Sequence, residues 1–246
     1  FNGKDDTLRT LMLGQNPETV CFTGPPAHEH VHAWAGGSGT GPEKLDHNRY
    51  LLNAPEPAIL DAGAVDLAAD YLMAGHSLGG HKILTPHAGE LERFLRRIHE
   101  HSPQRWEEML DGALVPSRED INAEPFRWAR AACELSGATV MLKGSTTLIA
   151  APVGATYSVH GATGWLATAG SGDTLTGILG ALLAQYMAAA QERHEQVEGC
   201  TYASLAALAV YLHNRAALAS LDGYKGPVPP SRVASYLPQA IAGLLD

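Results

Sequence analysis

Cysteine is scarce in this sequence of 246 residues, and positive charge is not concentrated anywhere along it. Cys21, Cys133 and Cys200 lie far apart and share no C-x-x-C spacing, which argues against both a disulfide framework and a zinc site. This pattern predicts a protein of the reducing cytoplasm. The 17 Lys and Arg residues are scattered and outnumbered by 26 Asp and Glu residues, which argues against a nucleic-acid partner.

Long apolar runs are lacking as well. The most apolar segment, Leu175 to Ala190, is interrupted by Gly177, Gly180 and Gln185 and is too short to span a bilayer. It predicts a buried helix, and we expect no membrane partner. We expect neither a signal peptide nor internal repeats, so the sequence is predicted to form one compact domain that binds small molecules.

Short β-type runs alternate with helical ones, which is typical of an α/β protein whose mostly parallel sheet is covered on both faces. Thr146–Ala151 and Ala155–His160 predict an antiparallel hairpin. Ligands of such sheets bind at the carboxyl ends of the parallel strands, so the site is expected at that edge. The predicted parallel strands are Thr19–Thr23, Val31–Ala35, Ala58–Leu60, Lys82–Thr85 and Thr139–Lys143.

The helical patterns are concentrated in the second half of the sequence and predict a helical carboxyl-terminal layer. Ser117 is the expected N-cap of one helix, because the acidic Glu119 and Asp120 follow it in the first turn. The predicted helices are Gly89–Glu100, Ser117–Leu135, Asp173–Ala190, Tyr202–Leu221 and Ser231–Leu245.

A run of small residues and one carboxylate, Ala169-Gly170-Ser171-Gly172-Asp173-Thr174, comes directly before the most apolar helix. A junction of this kind directs free backbone N–H groups and the positive helix end at one point, which suits an anion such as phosphate. Asp173 is either the N-cap of the helix or a general base beside a bound phosphoryl group.

Two further segments follow predicted strands. The glycine-rich Gly36–Gly41 does not fit G-x-G-x-x-G, because Pro42 occupies the position of the last glycine, so it is a phosphate loop or a plain turn. Asp61 directly follows the strand Ala58–Leu60, where a carboxylate binds Mg²⁺ or a hydroxyl, or caps the next helix.

Three other groups have a structural and a functional interpretation. His87, in the turn Thr85–Glu90, is either a turn residue or a site residue at the same sheet edge as Asp61. Lys143–Thr147 offers a cation and hydroxyl donors to an anion, or forms an ordinary hairpin turn. The alternating His28, His30 and His32 lack a supporting carboxylate or Cys, so a metal site is not favoured there.

Four segments, taken in their order along the sequence, resemble segments of one known family. They are Thr85–Glu90 (TPHAGE), the Lys143-Gly144 turn, Ala167–Gly180 (ATAGSGDTLTGILG) and Leu208–Arg215 (LAVYLHNR). The sequence from about Val31 onward is similar to the ADP- or ATP-dependent NAD(P)H-hydrate dehydratases, the YjeF carboxyl-terminal-domain relatives of the ribokinase-like kinases. The resemblance implies a ribokinase-like three-layer α/β/α fold with a mostly parallel sheet.

The resemblance also implies a reaction. Hydrated NADH and NADPH (NADHX and NADPHX) would be converted back to NADH and NADPH, with ADP, or ATP, as co-substrate and Mg²⁺ as its companion. Phosphorylation turns the substrate hydroxyl into a good leaving group, and in bacterial members ADP yields AMP and phosphate. Such an enzyme is a carbon–oxygen lyase of metabolite repair, and the family implies a homo-oligomer, a tetramer.

The resemblance implies a role for each matching residue. Asp173 matches the base and substrate contact, and His87 and Gly41 match further contacts to the hydrated dinucleotide. Asp61 falls in the site region, where it would help to organise Mg²⁺. The residues that match the nucleotide contacts and the backbone anion hole are Lys143, Gly144, Ser145, Thr146 and Thr147, together with Gly170, Ser171 and Gly172.

The sequence departs from the family at several points. The glycine loop ends Gly37-Ser38-Gly39-Thr40-Gly41 instead of G-P-G-L-G, and Asp61 precedes Ala-Gly-Ala-Val instead of A-D-A-L. The first strand–helix unit of the family, with its Gly-Ala pair, has no counterpart here. A vitamin or small-alcohol kinase of the same fold and a nucleotide-binding relative without catalysis are therefore the alternatives, and Thr85–Glu90 favours the dehydratase.

Overall fold

The computed structural model describes residues 5–24, 26–40 and 45–245. The chain divides into two compact units, Phe1–Val31 and His32–Asp246. The smaller unit contains helix α1 (Asp6–Gln15) and a short 3-10 turn at Pro26–His28. The strand predicted over Thr19–Thr23 is wrong, because only an isolated bridge at Phe22 forms there.

Helix α1 is absent from the sequence-based prediction because the sequence around it has little apolar periodicity. A local signal starts it instead. The Asp5 carboxylate accepts hydrogen bonds from the backbone N–H groups of Thr7, at 2.8 Å, and Leu8, at 3.1 Å. These bonds satisfy two of the donors that a helix leaves free at its first turn.

The larger unit is built on a six-stranded sheet in which neighbouring strands follow one another in sequence. The first four strands are parallel, and the last three form an antiparallel meander. Five predicted strands are confirmed within a residue or two. The strand predicted over Val31–Ala35 lies later in the sequence, at Trp34–Gly36. The strands are β1 (Trp34–Gly36), β2 (Ala58–Leu60), β3 (Lys82–Leu84), β4 (Thr139–Leu142), β5 (Thr147–Ala150) and β6 (Thr156–Val159).

Three helices of this unit were not predicted, Leu45–Asn53, Gly63–Met73 and Pro103–Leu110, and two predicted helices are each broken into two. The helix predicted over Ser117–Leu135 is two helices, because Pro125 has no N–H to continue the first one. The helix predicted over Ser231–Leu245 is also broken, at Tyr236. The helices are α2 (Leu45–Asn53), α3 (Gly63–Met73), α4 (Ala88–His101), α5 (Pro103–Leu110), α6 (Arg118–Ala123), α7 (Pro125–Ser136), α8 (Ser171–Glu192), α9 (Gly199–Leu221), α10 (Pro230–Ser235) and α11 (Leu237–Ala242).

Alternation along the strands divides the core into two halves. In β2 and β3, Leu60 and Leu84 point to the half that contains α3, α4 and α7, while Ile59 and Ile83 point to the half that contains α8 and α9. Parallel crossovers are right-handed, so consecutive neighbouring strands place their connecting helices on one face. The carboxyl-terminal helices cover the other face, which gives three layers. Within the described chain, helices with the length and apolarity to cross a membrane are absent.

Candidate functional site

The carboxyl ends of β2, β3 and β4 bring three polar side chains together. Asp61, which follows β2 and is 3% exposed, accepts hydrogen bonds at Oδ1 from Thr85 Oγ1, at 2.8 Å, and Lys143 Nζ, at 2.7 Å. Its Oδ2 lies 3.4 Å from Thr176 Oγ1 of α8. The N-cap of α3 is Ala62, without a side-chain hydrogen bond, so the interpretation of Asp61 as a helix cap is wrong.

Lys143 is held from two sides. Its backbone N–H donates to the carbonyl of Pro86 at 2.8 Å, which extends the pairing of β3 and β4 by one bridge to His87. Its Nζ lies between Asp61 and Glu90, with Glu90 Oε2 at 4.0 Å. A Cβ built on Gly172 would lie 3.6 Å from this Nζ. The ammonium group is therefore directed at the first turn of α8.

The first turn of α8 presents backbone donors. Its N-cap is Gly170, whose φ of +86° favours glycine, and whose lack of a side chain leaves the turn uncapped. Asp173 is the third residue of the helix, so the interpretation of Asp173 as the N-cap is wrong. The N–H of Ser171 donates to Thr168 O at 3.2 Å, whereas the N–H groups of Gly172 and Asp173 meet no acceptor among the described residues. Two successive donors thus point outward beside Lys143.

The carboxylate of Asp173 is exposed and has one partner among the described residues. Ser38 Oγ, from the turn after β1, donates to its Oδ1 at 2.5 Å. The preceding Gly37 has a φ of +115°, and a Cβ there would lie 1.8 Å from the carbonyl oxygen of Asp61. Only glycine fits at position 37, because the backbone there packs against the end of β2. This close packing places the next residue, Ser38, within hydrogen-bonding distance of Asp173.

His87 is the N-cap of α4. Its Nδ1 accepts hydrogen bonds from the N–H groups of Gly89, at 3.1 Å, and Glu90, at 3.2 Å, while Glu90 Oε2 accepts from the N–H of His87 at 2.8 Å. Because Nδ1 is an acceptor, the proton of the neutral ring lies on Nε2. The side chain is 56% exposed, and its Nε2 lies 3.6 Å from Glu90 Oε1.

A cavity of about 340 Å³ lies beside this cluster. Among the residues predicted to contact the nucleotide, Lys143, Gly144, Ser145, Thr147 and Gly172 line it, and so does Ser171. Thr146 is not in its lining. Gly41, predicted to contact the substrate, lies outside the described residues.

The donor set at this edge does not form a cage for a metal ion. No group of three His, Cys, Asp or Glu side chains in the described part of the chain is arranged to hold one, and this includes the alternating histidines. The oxygens of Asp61 already accept from Lys143, Thr85 and Thr176. Mg²⁺ commonly binds to substrate phosphates with few protein ligands, so it would fit here as part of a nucleotide complex.

Sequence reasoning missed the residues that hold the cluster together. Ser38, Thr85, Thr176 and Glu90 all contact a predicted site residue, yet none was assigned a role. Position at a predicted strand end was an available signal for Thr85. Thr176 lies 115 residues from its partner Asp61, so no local signal points to it.

Comparison with known proteins gives consistent matches. A family model described as NAD(P)H-hydrate dehydratase matches residues 5–239. A bifunctional NAD(P)H-hydrate repair enzyme of Mycobacterium tuberculosis is 35% identical over 182 residues, which are 72% of this chain and 33% of that protein. An ADP-dependent (S)-NAD(P)H-hydrate dehydratase of Neisseria meningitidis is 32% identical over 188 residues, 73% of this chain and 57% of that protein. The chain therefore spans about a third of the first relative and somewhat more than half of the second.

Solved structures confirm the predicted ribokinase-like fold. The ADP/ATP-dependent NAD(P)H-hydrate dehydratase of Bacillus subtilis, co-crystallised with ATP and Mg²⁺, has a TM-score of 0.71 at 24% identity, over 96% of this chain and 78% of that one. A ribokinase-like superfamily protein of Enterococcus faecalis has a TM-score of 0.62 at 21% identity, over 86% of this chain and 63% of that one. Because the family model matches residues 5–239, nearly the whole of this chain, the chain belongs to the NAD(P)H-hydrate dehydratase family.

Proposed function

We propose that this chain catalyses the dehydration of hydrated NADH and NADPH to NADH and NADPH, with ADP converted to AMP and phosphate. One observation carries the proposal. The unsatisfied N–H groups of Gly172 and Asp173, the ammonium of Lys143 and the carboxylate of Asp173 lie around one helix end. Donors for a phosphoryl group and a base for a hydroxyl are thus present together.

In the first step, the substrate hydroxyl attacks the β-phosphorus of ADP. A substrate O–P bond forms, the bond between the β-phosphorus and the bridging oxygen breaks, and AMP leaves with that oxygen. Asp173 Oδ2 takes the hydroxyl proton, because Ser38 holds Oδ1. The N–H groups of Gly172 and Asp173 and the Lys143 ammonium stabilise the charge on the transferring group.

In the second step, the phosphate ester leaves. The C–O bond breaks with its electron pair going to phosphate, the ring nitrogen supplies electrons to the carbon, and loss of a neighbouring C–H proton restores the reduced nicotinamide. The protein contributes position and charge, since phosphate is a far better leaving group than hydroxide. We propose His87 as a substrate contact through its imidazole ring, since the side chain is 56% exposed.

ADP would lie with its phosphates at Lys143 and Gly172 and its remainder in the adjoining cavity. Mg²⁺, when bound with the nucleotide, neutralises phosphate charge. The relative named as ADP-dependent supports ADP, and the structure co-crystallised with ATP and Mg²⁺ makes ATP the nucleotide to compare with it. We also propose a homo-oligomer, from the family resemblance, and a location in the cytoplasm, from the number and spacing of the cysteines.

The decisive experiment is recovery of the reduced-nicotinamide absorbance from purified NADHX and NADPHX, with ADP or ATP added in turn. We expect recovery with ADP, and release of AMP and phosphate in equal amounts. A stable phosphorylated product without recovery would instead identify a kinase. Nucleotide binding without any turnover would identify a relative that has lost catalysis.

A further inference from the structure

Two buried polar residues of α9 line the same cavity and take no part in the chemistry proposed above. They are His213, 5% exposed, and Asn214, 7% exposed. The described residues that contact them do not explain why they are polar. Buried polar groups are normally hydrogen-bonded, so each of these side chains calls for a partner.

His213 has an unpaired ring nitrogen. Its Nε2 is buried and has no hydrogen-bond partner among the described residues. Burial lowers the pKa of the imidazole to about 4, so the ring is neutral at pH 7. A neutral ring offers one donor and one acceptor, so it can pair with a polar ligand without carrying a charge.

Asn214 has an unpaired carboxamide. It makes no side-chain hydrogen bond to any described residue, although a carboxamide provides two donors and two acceptor sites. Neither polar atom of this carboxamide is among the fully buried side-chain atoms that lack a partner, so the group keeps some accessible surface. Asn214 lines the cavity, where a ligand could supply the missing partners.

The lining of the cavity combines polar and apolar residues. Lys143, Ser171 and Gly172 line it where the proposed phosphates bind, and the buried Leu175 and Val210 add apolar surface. His213 and Asn214 add two further polar side chains to this lining. A flat, uncharged heterocycle with hydrogen-bonding groups along its edge fits such a space.

We propose that Asn214, with His213 beside it, selects the base of the nucleotide and favours adenine over guanine. This inference rests on the proposed nucleotide dependence. The Asn214 carboxamide donates to N7 of adenine and accepts from its 6-amino group, the bidentate pairing that asparagine makes with adenine. Guanine has the acceptors N7 and O6 on that edge, so the carboxamide oxygen would meet another acceptor.

The test begins with the unaltered protein, so that it does not depend on how a variant folds. Calorimetry measures the affinities for ADP, GDP, inosine diphosphate, which lacks the 6-amino group, and 7-deaza-ADP, which lacks the N7 acceptor. We expect ADP to bind about tenfold or more tightly than each of the other three, the discrimination of one good bidentate pair. Equal affinities for ADP and 7-deaza-ADP would overturn the proposal.

Variants then assign the selection to a residue. Asn214→Asp keeps the size of the side chain, and Asn214→Leu removes its polar atoms. In both variants we expect ADP and GDP to bind with about equal affinity. Tyr211→Phe is the matched control, because Tyr211 is on the same helix, is 40% exposed and does not line the cavity. Its preference should equal that of the unaltered protein.

Binding and turnover separate the two proposals. If both Asn214 variants still prefer ADP over GDP and the protein dehydrates NADHX, this inference alone is overturned. If both variants lose the preference for ADP and the protein dehydrates neither NADHX nor NADPHX, only the proposed function is overturned. A protein that binds neither ADP nor GDP contradicts this inference and the nucleotide dependence together.

Discussion

At the scale of single residues, the two oxygens of Asp173 have different surroundings. Ser38 donates to Oδ1, and the carboxylate is exposed toward the sheet edge. In Asp173→Asn the proposed base is lost while the backbone donors of α8 remain. We expect kcat to fall by about 10²- to 10⁴-fold, the usual contribution of a general base, with the affinity for ADP nearly unchanged. The absorbance assay gives kcat, and calorimetry gives the affinity.

Ser38→Ala is the companion to that variant. It removes the hydrogen bond to Oδ1 but keeps the carboxylate, so its effect on kcat should be much smaller than that of Asp173→Asn. If Asp173→Asn retains full kcat, the carboxylate has no role as a base, whatever happens in Ser38→Ala.

The ion pair between Asp61 and Lys143 gives a second prediction at this scale. Both side chains are largely buried, with exposures of 5% and 19%, at an N–O distance of 2.7 Å. Lys143→Met leaves the Asp61 carboxylate without its cation, and we expect the free energy of unfolding to fall by about 3 kcal/mol. Urea denaturation at pH 7 measures the change.

The double variant Asp61→Asn/Lys143→Met is the control, since it leaves no unpaired charge. It should be clearly more stable than the sum of the two single variants implies. Additive losses would show that the pair is not coupled in the folded state.

The residue scale is also where prediction from sequence reaches its limit. A carboxylate at a loop–helix junction fits a cap and a catalytic role equally well, because both need the same residue type. For Asp173 the choice depends on whether the N-cap is Asp173 itself or Gly170, three residues earlier. For Asp61 it depends on Thr176, which lies 115 residues away. Ordered motifs predicted the candidate site, and only three-dimensional contacts distinguish the roles proposed within it.

At the scale of elements, the turn after β1 depends on one glycine. In Gly37→Ala the new Cβ would overlap the carbonyl oxygen of Asp61 at a positive φ, so β1 and β2 would have to separate. We expect the free energy of unfolding to fall by about 4 kcal/mol, as for other severe steric substitutions. Thermal or urea unfolding measures it.

Gly39→Ala is the matched control in the same turn. Gly39 also has a positive φ, +62°, but nothing lies within 4 Å of its Cβ position. The cost should be about 1–2 kcal/mol, from the backbone conformation alone. Equal losses at Gly37 and Gly39 would mean that close approach to β2 does not determine the first position.

Elements were predicted well where a short run is buried along its whole length and poorly where another signal decides. Strands β2 to β5 are short, apolar and buried, so their pattern predicted them almost to the residue. Helix α1 depends on the Asp5 cap, and α3 is rich in Ala, with a weak contrast between its faces. Pro125 causes the break between α6 and α7. The apolar pattern continues across it, so the sequence-based prediction placed one helix over both.

At the scale of the whole molecule, the layers follow from simple rules and the cavity does not. Alternating β-type and α-type segments require a parallel sheet, and right-handed crossovers then leave one face for the carboxyl-terminal helices. The cavity is different, because the turn after β4, the segment before α8 and the helices α8 and α9 all contribute to it. His213 was visible in a family motif, but its burial and its unpaired nitrogen depend on all four segments.

That burial predicts a pH dependence of the stability of the folded protein. The imidazole of His213 has a pKa of about 4 when folded and about 6.5 when exposed, because burial disfavours its charged form. Between those pH values the unfolded chain binds more protons at this residue than the folded one. The free energy of unfolding therefore falls as the pH drops from about 6.5 to about 4, by about 3 kcal/mol from this group.

Other groups titrate in the same range, so the measurement is a difference between two proteins. Urea denaturation of the unaltered protein and of His213→Gln at several pH values between 4 and 7 isolates the contribution of the imidazole. The free energy of unfolding of the unaltered protein minus that of His213→Gln should decrease as the pH falls, because the glutamine variant has no proton to gain at this position. Curves that stay parallel over the whole range would mean that His213 titrates normally, and that the wall of the cavity is open to water.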